Sequence, residues 1–476
     1  MSTAPTASSS GTTSATTFAT TEEGLQRRLT SRQLTMIAIG SAIGVGLFLG
    51  STVTIGLAGP AVIVTYVFGA AIALVMGYAL AEMAVVHPLA GSFGVYAERY
   101  LSPWFGFVVR ATYGFIQILA IGAEVTAVAI YFAFWFPAVP QWVWVAGVSV
   151  GLMAINTAQV SRFGEFEYWF ALIKVVAIVA FIAVGLGLIF GLGPAPAVGF
   201  SNLFNGPGGF LPHGWKGAWL ALTLVITSYM GVEVIAVTAG EAEHPETSIP
   251  RAMKSMVLRL IIFYVLAIGV MLMMTPWNQI SEGARGITGS PFVRAFASAG
   301  IPYAAGVMNL VVISAALSSA NSDLYLTTRM LFSLSRSGYA PGWLSTVSAA
   351  GVPLRAVAVA SGGMAVAILL AIYAPGDAFL ALFGTAVAGM LFIWIVILFT
   401  YLRFRASMSP ERVAQLPIRL PAHKLAATFG IVSLVAITLT TFFVDGLQYT
   451  VPSFLPFLAV ISILYARMRK RAGAPA

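Results

Sequence analysis

This 476-residue sequence predicts an all-α polytopic membrane protein with about twelve transmembrane helices, and three observations carry that prediction. Hydrophobic residues make up 59% of the chain and charged residues only 9%, with a mean hydropathy of +0.91. A soluble domain carries about 25% charged residues, so this chain lacks the material for an ordinary water-facing surface. The apolar residues also gather into twelve runs of the roughly 20 residues that cross a hydrocarbon core. Finally, Lys and Arg fall almost entirely on one side of those runs.

The first six runs lie near 33–56, 61–85, 104–135, 141–158, 168–192 and 217–240. The second six lie near 255–275, 302–332, 355–374, 378–402, 425–443 and 449–467. An even number places both termini on one side. With the N-terminus inside, 21 Lys and Arg residues face the cytoplasm and only Lys216, Arg285 and Arg294 face out, with Lys174 left inside the membrane. Positive charge marks the cytoplasmic side. Both termini are therefore expected in the cytoplasm, with the chain crossing a bacterial-type inner (plasma) membrane many times.

Residues 1–30 read as a disordered cytoplasmic tail, because the stretch to Thr21 is rich in Ser, Thr and Ala and has no apolar run to bury. The same lack of an apolar core argues against a signal peptide. Residues 31–468 read as a single membrane domain and 469–476 as a cytoplasmic C-terminal tail. The longest outer loops, 193–216 and 276–301, are rich in Gly and Pro and predict short re-entrant or surface pieces. The stretch 86–103 is amphipathic and predicts a segment lying along the membrane.

Several function classes drop out. The net charge of +9 is the topology signal just described, so no nucleic-acid partner is expected. There is no cysteine, and His87, His213, His244 and His423 are scattered without ligand spacing, so neither disulfide nor metal site is expected. No G-x-x-x-x-G-K-[ST] phosphate loop and no G-x-S-x-G elbow occurs. The expectation is no catalytic residue, no cofactor and no ATP-driven step; energy should come from an ion gradient.

The candidate functional residues lie inside the membrane runs. The first run contains Gly40, Gly44, Gly46 and Gly50 within eleven residues, and each glycine weakens a helix interior by about 1 kcal/mol. One reading is a discontinuous helix around Ser41, Ala42, Ile43, Gly44, Val45 and Gly46, whose freed amides bind a carboxylate. The other is close packing, since Gly40/Gly44 and Gly46/Gly50 have the G-x-x-x-G spacing. The sixth run centres on Thr227-Ser228-Tyr229-Met230-Gly231-Val232-Glu233 and predicts a second break. Glu233 is either a functional acid or one that bonds unwound backbone; intramembrane carboxylates are costly and mark function by default. Glu124, between Gly122 and Thr126, is open to three roles: proton carrier, partner for an ammonium, or structural acid.

Lys174 sits in Phe170-Ala171-Leu172-Ile173-Lys174-Val175-Val176. A helix starting near Glu167 puts it about 10 Å in. It either snorkels to the cytoplasm or is buried and exchanges a proton during function. Ser318 and Ser319 offer hydroxyls to Lys174 or to an ion. Asp323 is open equally to a gating salt bridge with Arg329 or a loop arginine and to transport chemistry, and Glu82 is read as a structural or gate residue. Trp142, Trp144, Trp215 and Trp277 are read as interfacial belt residues, and Phe48, Tyr229 and Phe383 as near a pocket.

Taken in order, these motifs resemble the amino acid transporter family of the amino acid–polyamine–organocation superfamily. The matching pieces begin with Ile39-Gly40-x-x-Ile43-Gly44-x-Gly46-Leu47-Phe48-Leu49-Gly50 and Gly91-Ser92-Phe93. Glu124-Val125-Thr126-Ala127 leads to Trp135-Phe136-Pro137, and Glu165-x-Glu167-Tyr168-Trp169-Phe170 precedes Lys174. Ala239-Gly240-Glu241-x-Glu243-x-Pro245, Ile249-Pro250-Arg251-Ala252, Asn321-Ser322-x-x-Tyr325 and Arg329-Met330-Leu331 complete a series across about residues 30–420.

The resemblance implies a LeuT-like 5+5 inverted repeat with broken helices 1 and 6. Repeat one would cover about 33–192, repeat two about 217–402, and helices 11–12 about 425–467. It implies a substrate carboxylate on amides around Ile43, Gly44, Val45 and Gly46. The ammonium would meet carbonyls near Ala38 to Ser41 and near Tyr229, Met230 and Gly231, with Glu124 assisting and Glu233 close by. It also implies that Lys174 stands where sodium-coupled relatives hold an ion, bridging helices 5, 1 and 8 beside Ser318 and Ser319. Many members read Phe-Ser-Phe-x-Gly-x-Glu in helix 6; the different sequence here leaves substrate identity open.

The expected function is proton-coupled import of amino acids, neutral ones in particular, with the amino acid, the proton and the lipid bilayer as partners. An amino acid exchanger, or a polyamine or γ-aminobutyrate carrier, is the alternative within transport, and a non-transporting membrane sensor the alternative of another class. Oligomeric state has no sequence signature here.

Overall fold

The computed structural model of the chain describes residues 36, 43–89, 91–157, 160–192, 196–239, 244–281, 290–298, 303–348, 351–374, 378–444 and 447–471. The expected N-terminal tail at 1–30, Ser41, Ala42, Arg285, the 240–243 part of the family motif and residues 472–476 lie outside them, as does the Phe383 side chain.

Among the described residues every regular element is helical. In lipid each backbone N–H and C=O must be satisfied within its own segment, so apolar runs wind into helices even when rich in Val and Ile. The main elements are α1 (Ser51–Ala58), α2 (Val62–Val86), α3 (Ser92–Tyr100), α4 (Pro103–Phe132), α5 (Gln141–Asn156) and α6 (Val160–Ile189). They continue as α7 (Gly214–Val225), α8 (Val234–Thr238), α9 (Pro245–Arg259), α10 (Ala267–Met274) and α11 (Ala304–Arg336). The last are α12 (Leu354–Ala360), α13 (Gly362–Tyr373), α14 (Ala378–Ala406), α15 (His423–Thr440) and α16 (Thr450–Arg471).

Among the described residues, ten helical stretches are long and apolar enough to cross a membrane, and Gln141–Asn156 is a shorter apolar helix. The first two expected runs form one continuous helical stretch, Gly46–Val86, that turns through Gly59–Ala61. Gly59 takes φ +61 there and Pro60 follows it, a pairing that redirects a helix at its C-terminus. The fifth run starts earlier than expected, at Val160, so Lys174 lies fourteen residues and about 21 Å into α6.

The core is organised around α4, which packs along α11 and α14 and also touches α3, α5, α13 and α16. Four polar side chains spaced seven apart, Arg110, Gln117, Glu124 and Tyr131, lie on one face of α4. Each level is bonded to α11 or its C-terminal end. Arg110 donates to Ser333 and Ser337 at 3.3 and 2.9 Å, and Gln117 donates to Asp323 at 2.9 Å. Ser319 donates to Glu124, and Asn309 donates to the Tyr131 carbonyl, both at 2.9 Å.

The helix ends are tied by charges. Arg110, fully buried, pairs with Glu98 of α3. Glu82 at the end of α2 meets Arg405 of α14 at 3.3 Å, the Tyr401 hydroxyl at 3.1 Å and the Leu420 amide. It therefore clamps three segments. In α3, Phe93, Tyr96 and Ala97 are buried while Arg99 is exposed, which accounts for its amphipathic pattern. Trp142 and Trp215 are exposed, as belt residues should be. Trp277 is not: it is buried, donates to the Pro207 carbonyl at 3.2 Å and stands edge-on to His213. Trp144 is also drawn in, stacked on Phe132 at 4.3 Å.

Two predictions follow from this packing. α4 and α13 cross at Gly122 and Gly363, where a Cβ on Gly363 would lie 1.6 Å from the Ile118 carbonyl oxygen. Gly363→Ala should lower thermal stability by about 1–3 kcal/mol, the cost of overpacking. Gly362→Ala, with open space around its Cβ, should melt like wild type; equal melting of both variants would refute the crossing. The second concerns His87, just beyond α2. Burial, and then the nearby Arg99, push its pKa from 6.5 down to about 4. The unfolded chain thus binds the extra proton first, and stability should fall as pH drops from about 6.5 to about 4. Melting temperature against pH should show that slope in wild type and a flatter one in His87→Gln.

Candidate functional site

A bend in the chain and an interrupted helix meet at the centre of the bundle. The chain bends at Ile43 and Gly44, then enters a π-helical turn, Gly46–Gly50, that leads into α1. Glycine is required by proximity: a Cβ on Gly44 would lie 2.6 Å from Ser319 Oγ, and one on Gly46 would lie 3.0 Å from Ser228 Cα. Close packing, one of the two readings of the glycine-rich run, is seen at Gly44 and Gly46, whereas residues 37–42 of that run lie outside the described residues. Opposite it, α7 tightens into a 3-10 turn at Ile226–Tyr229 and stops. Met230 is extended in ψ (147°), Gly231 takes φ +93, and the helix resumes as α8. A φ of that sign strains any residue with a Cβ, so Gly231 suits the break.

Between the two breaks lies a cavity of about 50 Å³, room for a few water molecules. Helix-break residues Gly44, Gly46, Thr227, Ser228, Met230, Gly231 and Glu233 form one side. Gln117, Ala120 and Glu124 of α4 with Ser319 and Asp323 of α11 form the other. Three carboxylates therefore face one small space. Glu124 accepts from Ser319 Oγ at 2.9 Å, and its Oε1 lies 3.1 Å from where a Cβ on Gly44 would stand. Its second oxygen meets no donor among the described residues. Glu233 accepts the Gly231 amide through both oxygens at 3.2 and 3.1 Å and faces the Tyr113 hydroxyl at 3.5 Å. It bonds unwound backbone and lines the cavity at once.

A second polar cluster lies behind the helix-1 bend. Lys174 is fully buried, and its Nζ donates to the Ile43 carbonyl at 3.2 Å and to Ser318 Oγ at 2.8 Å. The Ser318 hydroxyl in turn donates to Glu167 Oε1. Glu167, also fully buried, is seven residues before Lys174 on the same face of α6. Snorkelling is ruled out by this geometry, because the ammonium points across the bundle rather than along it.

The structure distributes the remaining expected residues as follows. Ile43 and Val45 supply backbone at the bend, outside the cavity wall. Ser319 serves Glu124, whereas Ser318 serves Lys174, so the serine pair is split between the two clusters. The Tyr229 side chain leaves the cavity and donates to the Tyr66 carbonyl at 2.6 Å, packed on Tyr264. Phe48 packs edge-on to Phe292 at 5.1 Å, away from the cavity. Asp323, for which gating and transport chemistry were both open, accepts from Gln117 on the cavity wall. Gln117 and the pairing of Glu167 with Lys174 were not anticipated. The signal for both was a seven-residue interval: 110, 117, 124 and 131 on α4, and 167 and 174 on α6.

The fold and the cavity define a multi-pass helical membrane protein with its polar groups gathered at interrupted helices. Residues 33–468 match the family model for amino acid permeases, and the chain belongs to that family. It is 42% identical over 402 residues to the "uncharacterized amino acid permease YtnA" of Bacillus subtilis, covering 84% of this chain and 86% of that one. It is 36% identical to the γ-aminobutyric acid permease of Bacillus subtilis, covering 94% and 95% of the two chains. It is 37% identical to the aromatic amino acid transport protein AroP of Escherichia coli K12, covering 95% and 97%.

The Lys174–Ser318–Glu167 cluster makes a stability prediction. Removing one member of a buried ion pair strands the other charge and costs about 3–5 kcal/mol. Lys174→Met and Glu167→Gln should each lower the melting temperature in detergent, and the double variant should melt above either single one. Additive losses in the double variant would show that the two groups do not act as a pair.

Proposed function

We propose that this permease imports small neutral amino acids, drawing on an inward proton gradient, through a 5+5 inverted repeat within twelve membrane crossings. The facing breaks at Gly44 and Gly231, one in each proposed repeat, support that architecture. The distribution of Lys and Arg supports cytoplasmic termini. The substrate carboxylate is assigned to the amides from Ile43 to Gly46, its ammonium to the helix-6 carbonyls near Tyr229 to Gly231 with Glu124 and Glu233 beside it. The cavity is small, about 50 Å³, which favours a small side chain.

One observation carries the coupling: the Glu124 carboxylate stands against the bend, its Oε1 3.1 Å from where a Cβ on Gly44 would lie. A substrate carboxylate arriving there meets a like charge in a buried site, where two carboxylates together are costly. Proton uptake on Glu124 removes the repulsion and lets the substrate take the amides at the bend. Substrate and proton then bind together, which is the requirement for symport. Lys174, held by Ser318 and the Ile43 carbonyl, supplies a fixed positive charge behind the same bend. A γ-aminobutyrate-type substrate is the second reading, favoured by the third carboxylate, Asp323, on the cavity wall and by the similarity to a γ-aminobutyric acid permease.

The test is uptake of a radiolabelled amino acid panel into proteoliposomes, with and without an imposed inward proton gradient. Wild type should accumulate a small neutral amino acid only with the gradient. Lys174→Ala should abolish accumulation, and Glu124→Gln should retain counterflow while losing the response to pH. Exchange that needs no gradient and survives Lys174→Ala would replace symport with an exchanger; absence of uptake of every amino acid would overturn the reading.

A further inference from the structure

A second cavity opens where α2 and α14 end, far along the sequence from the central site. It measures about 750 Å³, within the roughly 300–1,000 Å³ range of small-molecule sites. Its lining divides into two chemistries. Arg99 after α2 and Arg412 after α14 supply two cations, and no acid lines it among the described residues. Val86, Phe404, Met408 and Leu416 supply an apolar wall.

Of the carboxylates on the same elements, Glu82 and Glu98 are committed elsewhere, and Glu411, beside Arg412, is not among the lining residues. Glu82 is held by Arg405, Tyr401 and the Leu420 amide, and Glu98 by Arg110 and Tyr339. His87, between the two chemistries, bonds the Tyr100 hydroxyl through Nε2 at 2.7 Å while its Nδ1 lies 3.5 Å from Arg99 Nη1. A guanidinium there leaves Nδ1 as the acceptor, so the ring is neutral and neither adds to nor cancels the arginine charge. Arg99 also rests over the Tyr100 ring at 5.6 Å, which fixes its direction.

We propose that this groove is a binding site for an anionic phospholipid, with the headgroup phosphate between Arg99 and Arg412 and the upper acyl chains on Phe404, Met408 and Leu416. Position and composition both select that ligand. The groove lies at the ends of membrane-crossing stretches Gly46–Val86 and Ala386–Ala406, the depth at which phosphate and acyl chain adjoin. Basic pockets between helices at that level recruit anionic headgroups. A soluble phosphate would use the arginines but has no need of the apolar wall. The ligand would join α2 to α14 at the same level as the Glu82–Arg405 clamp.

Native mass spectrometry and thermal melting test this on the full chain in nanodiscs, comparing phosphatidylcholine alone with phosphatidylcholine plus phosphatidylglycerol. Wild type should retain phosphatidylglycerol and melt higher in the mixed discs. Arg99→Gln/Arg412→Gln should lose most of the bound lipid and the melting shift, while melting as wild type does in phosphatidylcholine alone. Arg99→Lys/Arg412→Lys should keep both, and Leu416→Glu should lose them with both arginines present. Retention of lipid and shift by the Gln pair would overturn the site. Displacement of the lipid by millimolar inorganic phosphate, with equal protection from phosphate alone, would overturn the lipid assignment in favour of a free anion.

Discussion

The seam between α4 and α11 is the constraint from which the rest of the molecule follows. Inside a bilayer there is little hydrophobic gain in bringing two helices together, so packing and polar contacts must specify the pairing. This pair is joined at Arg110, Gln117, Glu124 and Tyr131 on one side and at Ser333, Asp323, Ser319 and Asn309 on the other. The order runs antiparallel, and a shift of one helical turn would strand all four levels. The two middle levels are also cavity wall. The contacts that hold the bundle in register thus hold the candidate site in shape.

Against that rigid wall stand the two interruptions. Gly44 and Gly46 allow the bend before α1 to touch Ser319 and Ser228, and Gly231 lets the chain turn between α7 and α8. Each is met by a carboxylate, Glu124 beside Gly44 and Glu233 on the Gly231 amide. The freed amides are acceptor-seeking groups in a medium without water, and an internal acid satisfies them at low reorganisation cost. Lys174 reinforces the bend from behind, its charge offset by Glu167 through the Ser318 hydroxyl.

Much of this architecture was legible in the sequence because it rests on one-dimensional quantities. Run length predicts the membrane helices, and the Gly231 region predicts the interruption between α7 and α8. Individual intramembrane acids and Lys174 stand out because they are rare in such runs. The seven-residue series on α4 was equally visible but is meaningful only against a partner helix. Tyr229 and Trp277 show the opposite case: their residue type suggested pocket and belt, and packing turned both elsewhere.

The sequence by itself therefore determined the class of protein, the solvent it folds in, and where its helices are weak, because composition and local propensity act along the chain. Only the tertiary structure decided which polar residues share a space. Ser318 and Ser319 are adjacent in sequence yet serve Lys174 and Glu124 in separate clusters. Asp323 and Gln117 meet across 206 positions. The physical reason is that a buried polar group is stabilised by whatever partner packing brings within about 3 Å, and that partner belongs to another helix whose identity no local pattern specifies.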